Sequence, residues 1–321
     1  MSKTLIDSLT DNSIQNVNKI ILDQINTPVT LLNQACAHLI VAGGKRIRPR
    51  LLLLISELLA KDGSQNPDLQ KLAASLEIIH TATLLHDDVI DQSSRRRGME
   101  STNEKFGNTI AVLAGDFLFT QAFNLTNSAN NKINSLLVNC LATLVKGEVE
   151  QLSNIADTFL TKESYFNVIY AKTSILFEVA SKIPGHFFNL SDDKILALET
   201  FGQAIGNAFQ IQDDILDYVS DSKVLGKNIG DDLQEEKITL PLIFVFEKLA
   251  QERKHELEEA IKKHDIDVVL KLINETDAIN ECIRCANEEV NKAINALACF
   301  EDNLAKEALI ELAKLTVTRK N

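Results

Sequence analysis

The chain has 321 residues, 45% of them apolar, and its 33 Lys and Arg against 45 Asp and Glu leave a formal net charge of −12. That is enough apolar material for a sizeable core, and the acidic balance excludes the basic footprint of a nucleic-acid binder while leaving room for a local cationic pocket. With only 12 Gly and 5 Pro, the chain has few helix breakers, and an all-α fold is expected.

Near the start, Lys3 is followed by Asp7 and Asp11, which leaves no hydrophobic segment for a secretory signal and implies a cytoplasmic protein. The longest apolar stretch, beginning at residue 51, is interrupted by Ser56 and Glu57, short of the roughly 18 residues of a membrane span. Apolar spacings of three and four recur along the whole chain, separated by polar segments at 61–68, 92–103, 124–132, 219–232 and 274–280. They predict about a dozen helices in a single domain over 1–321, with no run that alternates as a sheet strand does and no fixed-period repeat. The five cysteines are scattered, unlike a secreted disulfide framework, so reduced thiols are expected. Cys282 and Cys285 form a CxxC with no second pair and no nearby His, which reads as coincidence within a helix rather than as a zinc site. The sequon at Asn124 has no meaning in a cytosolic chain.

Two local patterns stand out. The apolar stripe Leu72, Leu76, Ile79, Thr83 leads at helical spacing to Asp87 within His86-Asp87-Asp88-Val89-Ile90-Asp91. On a helix Asp87 and Asp91 lie about 40° apart, with Asp88 about another 60° away, so three carboxylates crown one end. The same spacing returns as Asp213-Asp214-Ile215-Leu216-Asp217 after a second apolar-rich helix. One such cluster reads equally well as a solvated helix end. Two copies, each continuous with an apolar stripe, suggest a pair of facing cation sites. Oxygen-only donors favour a hard cation, and Mg²⁺ typically takes one or two carboxylates together with substrate phosphates and water, so a phosphorylated substrate is implied.

Cations accompany both clusters. Gly43-Gly44-Lys45-Arg46-Ile47-Arg48-Pro49 sets Lys45 and Arg48 in a turn before a helix that Pro49 can open as its first residue. Arg95-Arg96-Arg97-Gly98 follows the first cluster, and Lys227 and Lys237 follow the second. Each run alone reads as a solvated basic loop; their placement beside acidic crowns suits a diphosphate, for which Arg offers a bidentate fork. His80, two turns before Asp87 and within about 20° of its face, reads either as a core histidine or as a ligand, whereas His86 lies off that face and reads as structural.

These residues resemble the trans-isoprenyl diphosphate synthases, or polyprenyl synthetases, most closely the bacterial members that make an eight-unit chain. The ordered marks span nearly the whole chain: residues 44–49, 77–91 with Arg96-Arg97-Gly98, Gly147-Glu148 with Gln151, Lys172-Thr173, Phe209-Gln210-Ile211-Gln212-Asp213-Asp214 with Asp217, and Gly226-Lys227 through Thr239-Leu240-Pro241. The resemblance implies an isoprenoid-synthase-type helical bundle around a central apolar cavity. It implies that Lys45, Arg48, His80 and Arg97 hold the diphosphate of isopentenyl diphosphate, and that Arg96, Lys172, Lys227 and Lys237 hold that of the allylic substrate. It further implies two or three Mg²⁺ ions on Asp87, Asp91 and Asp213, with Asp88, Asp214 and Asp217 supporting, Thr173 and Gln210 near the developing cation, and a homodimer. Two departures are visible. Glu236 stands where the family commonly has Gly, setting a carboxylate next to Lys237, and Met99-Glu100-Ser101 replaces the usual Lys-Pro-Thr.

The implied reaction ionises an allylic diphosphate, for which farnesyl diphosphate is the expected primer; the double bond of isopentenyl diphosphate attacks the cation, and a proton is lost. Ala82 and Thr83 are small where short-chain members often carry an aromatic ring, which favours a product near eight isoprene units, suited to a quinone side chain. A floor for the growing tail is expected from the helix with Phe117, Phe119 and Phe123. Alternatives are a shorter-chain synthase making geranylgeranyl or farnesyl diphosphate, a terpene cyclase, which leaves residues 44–48 and Arg97 unexplained, a non-catalytic partner subunit, and a helical scaffold with fortuitous charge.

Overall fold

The computed structural model describes residues 4–127, 129–155, 160–219 and 230–318. Among them are sixteen α-helices, more than the dozen expected because several apolar runs are divided by single residues. Asp277, with φ +54°, is the whole break between two of them.

The helices are α1 Leu5–Gln24, α2 Thr30–Val41, α3 Ile47–Leu59, α4 Pro67–Ile90, α5 Thr102–Phe106, α6 Asn108–Leu125, α7 Asn131–Ser153 and α8 Lys162–Ile169. They continue with α9 Ile175–Phe187, α10 Asp192–Val219, α11 Asp231–Gln234, α12 Leu240–Lys248, α13 Gln251–Lys262, α14 Ile266–Thr276, α15 Ala278–Ala296 and α16 Leu304–Thr318. No described helix is long and apolar enough to cross a membrane.

The residues cluster into two units, the first formed by 1–137, 179–195 and 300–309, the second by 138–178, 196–299 and 310–321. In the first, α4 packs chiefly on α6 and also on α3 and α1. Its side chains from Leu69 to Leu85 supply much of that core: Leu72, Leu76, Ile78, Ile79, Ala82 and Leu85 are buried, each larger one contributing about 1.5–3 kcal/mol. Asn66 caps the helix by accepting from the backbone N–H groups of Asp68 and Leu69, with Pro67 at its first position. In the second unit, α12 packs on α15 and α14, and Ile211 and Ile215 of α10 enter the same core.

Two local expectations are corrected. Helix α3 begins at Ile47, so Pro49 is its third residue and Arg48 sits inside its first turn. Proline is tolerated there because the first four helical N–H groups have no intrahelical partner. The segment after α4 also contains a small sheet: Arg95–Arg96 (β1) pairs antiparallel with Met99–Glu100 (β2), Arg95 opposite Glu100. Arg97 and Gly98 occupy the turn with φ of +52° and +78°, a hairpin geometry too short to leave an alternating pattern in the sequence.

Between α8 and α9, Tyr170–Ser174 forms a π-helical turn in which the Ile175 N–H reaches back to the Tyr170 carbonyl. Two glycines let flanking helices approach it. A Cβ on Gly147 of α7 would lie 2.5 Å from Ala171 Cβ, and one on Gly206 of α10 would lie 2.4 Å from Ser174 Cα.

Candidate active site

In the first unit, the 43–49 loop and the arginine hairpin converge on α4. Arg46, left-handed at φ 51°, gives Nε to Asn18 Oδ1 at 3.0 Å, Nη1 to Glu77 Oε1 at 2.7 Å and Nη2 to the Ile40 carbonyl at 3.3 Å. With every edge of its guanidinium bonded, Arg46 anchors the loop, while Lys45 on one side is exposed and Arg48 on the other is half-buried. Arg97 donates to the Gly43 and Leu39 carbonyls, and its guanidinium lies 3.1 Å from where a Gly44 Cβ would be. Burial and the charges of Arg48, Arg97, Arg96 and Arg46 hold the His80 imidazole well below its ordinary pKa. The neutral imidazole of His80 is thus favoured amid arginines, and the sequence grouping of Arg48, His80 and Arg97 is a spatial one. Such a cluster attracts a compact polyanion.

The first acidic motif divides. Asp87, and Asp91 as the C-cap of α4, remain partly accessible. Asp88 is 0% exposed, and its Oδ1 accepts from Arg96 Nε at 2.7 Å and Nη2 at 2.6 Å. Burial raises the Asp88 pKa, against the lowering by Arg96. Asp88 and Arg96 therefore brace the hairpin against the helix end. His86 faces away, against the Val112 carbonyl at 3.1 Å and edge-on to Phe119, as its off-face position predicted. Ala82 is fully buried, while Thr83 is half-buried one turn below Asp87, its hydroxyl bonded to the His80 carbonyl at 2.8 Å. Phe117 and Phe123 on α6, like Phe119, are partly buried.

In the second unit, the π-helical turn presents Lys172 and Thr173. Lys172 Nζ contacts Glu148 Oε2 at 2.9 Å and Gln151 Oε1 at 2.5 Å, both on α7 one turn apart. Thr173 Oγ1 donates to Gln210 Oε1 at 2.8 Å, and Gln210 Nε2 donates to Asp214 Oδ1 at 2.8 Å. Tyr165 closes the chain from α8, its hydroxyl donating to Asp214 Oδ2 at 2.6 Å. Burial, opposed by these hydrogen bonds and reinforced by the charges of Asp213 and Asp217, pushes Asp214 up to about 7. Burial and the charges of Asp214 and Asp217 also push Asp232 well above the carboxylate range.

Asp217 accepts from the Asp231 N–H at 3.1 Å and the Asp232 N–H at 3.2 Å, tying α10 to the start of α11. Lys237 pairs with Glu235. Glu236, the expected neighbour of that lysine, is left-handed at φ 53° and turns toward His264, 3.9 Å away. Its backbone explains why glycine suits the position. Lys227 lies outside the described residues.

Sequence reasoning did not assign roles to Arg46, Glu148, Gln151, Tyr165, Asp232 or Glu235. Glu148 and Gln151 carried a signal, their spacing of three on one helix. Tyr165 carried none, because its partner is 49 residues distant.

Among the described residues no three His, Cys, Asp or Glu side chains are grouped closely enough to hold a metal ion by themselves. The donors are carboxylate oxygens alone, and in the second unit burial, reinforced by the charges of neighbouring carboxylates, raises Asp214 and Asp232. That arrangement fits a hard divalent cation that completes its shell with water and phosphate.

Residues 29–276 match the family described as polyprenyl synthetase. The chain is 39% identical over 324 residues to the octaprenyl diphosphate synthase of Escherichia coli, covering 99% of each, and 40% identical to that of Haemophilus influenzae, covering 99% of this chain and 98% of the relative. Among solved structures, a polyprenyl synthase from Caulobacter crescentus, complexed with calcium and isoprenyl diphosphate, superposes with TM-score 0.93 at 37% identity over 100% of this chain and 98% of that one.

Proposed function

This chain belongs to the polyprenyl synthetase family, and from that premise we propose that it lengthens an allylic diphosphate, such as farnesyl diphosphate, by repeated condensation with isopentenyl diphosphate. The product is a long all-trans polyprenyl diphosphate of eight isoprene units, suited to a quinone side chain. The observation that carries this reading is the arginine cluster around a neutral His80 on the same helix as Asp87: it suits a second diphosphate, which a terpene cyclase does not require.

In this reading Lys45, Arg48, His80 and Arg97 of the first unit bind the diphosphate of isopentenyl diphosphate. In the second unit Lys172, oriented by Glu148 and Gln151, faces the allylic diphosphate, and Lys237 and Lys227 are assigned to the same anion. Asp87, Asp91 and Asp213 would hold Mg²⁺, two or three ions in all, which when bound would neutralise charge on the leaving diphosphate. Thr173 directs its hydroxyl proton to Gln210, so its oxygen lone pairs face the developing allylic cation. Asp214 orients Gln210 through its own hydrogen bond, a supporting part rather than a direct one. Apolar helix faces exclude water that would quench the cation.

Both substrates are multiply charged anions that do not cross a bilayer unaided, which supports a cytoplasmic reaction. A homodimer is supported by a stripe of exposed apolar residues on one face of α7, Val138, Val145, Val149 and Leu152, which a second copy would cover. Incubating the purified protein with Mg²⁺, farnesyl diphosphate and labelled isopentenyl diphosphate, then measuring the extracted chain lengths, tests the activity; products of eight units are expected, and no incorporation rejects it.

A further inference from the structure

The CxxC that prenyl transfer leaves unused lies against the element holding the second acidic cluster. Helix α15 places Cys282 and Cys285 one turn apart within the core of the second unit. Lys162, the first residue of α8, brings its ammonium to 3.2 Å from Cys285 Sγ. The same ammonium lies over the rings of Phe166 and Phe244, at 5.9 and 5.5 Å from their centroids, so a cation is caged between two aromatic faces and a thiol.

The two sulfurs are not equivalent. Cys282 is 0% exposed, and burial, with the charge of Asp214, holds its thiol protonated, far above its ordinary pKa. Cys285 keeps 7% exposure and has the lysine. A disulfide between them is disfavoured by the helix: residues three apart have Cβ atoms about 5–6 Å apart, whereas a disulfide brings them to about 3.8 Å.

We propose that Cys285 is a peroxide-reactive thiol whose sulfenic acid is held by Lys162. The Cys285 sulfur attacks one oxygen of hydrogen peroxide; the S–O bond forms as the O–O bond breaks, sulfur is oxidised by two electrons and peroxide is reduced. The departing hydroxide takes the thiol proton and leaves as water. The ammonium of Lys162, 3.2 Å from the sulfur, stabilises negative charge there as it attacks and then donates to the new oxygen, a charge-assisted bond stronger than one to a neutral donor. Lys162 itself lies one turn before Tyr165 on α8, and Tyr165 holds Asp214.

The test treats the full-length protein with hydrogen peroxide in the presence of a cyclic dione that traps sulfenic acids, followed by peptide mapping. Label at Cys285 exceeding that at the exposed Cys299 is expected. Lys162→Met should slow trapping at Cys285 roughly tenfold, and Lys162→Arg should restore it, which separates loss of the cation from a folding defect. Label confined to Cys299, a Cys282–Cys285 disulfide as the product, or unchanged trapping in Lys162→Met would each overturn the proposal.

Discussion

Arg46 and Glu77 form an ion pair at 2.7 Å whose side chains are only 9% and 4% exposed, and it joins the 43–49 loop to the middle of α4. Because both charges are removed from water, losing one partner strands the other. Arg46→Ala should therefore lower unfolding free energy by about 3–5 kcal/mol, read as a denaturant midpoint. Arg48→Ala should leave that midpoint nearly unchanged and instead raise KM for isopentenyl diphosphate far more than for the allylic substrate. Equal effects on the two substrates would reject the separation into two anion sites.

Asp87→Ala and Asp213→Ala should each reduce condensation by about a thousandfold if, as proposed, each removes a ligand of the ion that stabilises the leaving diphosphate. Far-UV circular dichroism should be unchanged. Near-normal turnover in either variant would contradict the metal assignment.

Thr83→Phe should shorten the product sharply while sparing the first condensations, because Thr83 is half-buried one turn below Asp87 and its hydroxyl meets His80 at the backbone carbonyl rather than at the imidazole. Ala82→Phe should behave differently, losing stability, because Ala82 is 0% exposed and the packed core has no room for a ring. Chromatography of extracted products and thermal melts distinguish the two; an unaltered product distribution in Thr83→Phe would refute this account of chain length.

Asp214, pushed up to about 7 from an ordinary value of 3.8, binds its proton more tightly folded than unfolded. Its contribution to stability is then fully present below about pH 4 and is lost as pH rises through about 7. In metal-free protein the difference in Tm between wild type and Asp214→Asn should shift against wild type between pH 5 and 8, and Mg²⁺ should offset part of that shift. A difference that moves in wild type's favour as pH rises would contradict the sign.

Glu236→Gly should raise stability by about 1 kcal/mol, since a left-handed residue with a Cβ is strained. The substitution also removes the carboxylate that faces His264, but at 3.9 Å and half-exposed that pair is weak. A lower denaturant midpoint would show that the pairing with His264 outweighs the strain.

The all-α class, the two acidic helix ends and the cation-bearing loops follow from the sequence alone, because helical periodicity and charge spacing are local properties. The stripe from Leu72 to Asp87 could be drawn at 3.6 residues per turn without knowing what it packs against. What needed the tertiary structure is the division of labour among like residues. In 45–48, Arg46 is taken by Glu77 and Asn18, from α4 and α1. In 87–91, Asp88 is turned inward to Arg96, and Asp214 is claimed by Tyr165. Each choice depends on a partner distant in the chain, so spacing carries no trace of it. Backbone sign was equally hidden: Arg97 and Glu236 are left-handed, although neither is a residue type that announces it. Burial, which sets the protonation of His80 and Asp214, exists only once the helices have packed, because it is the neighbours that exclude water.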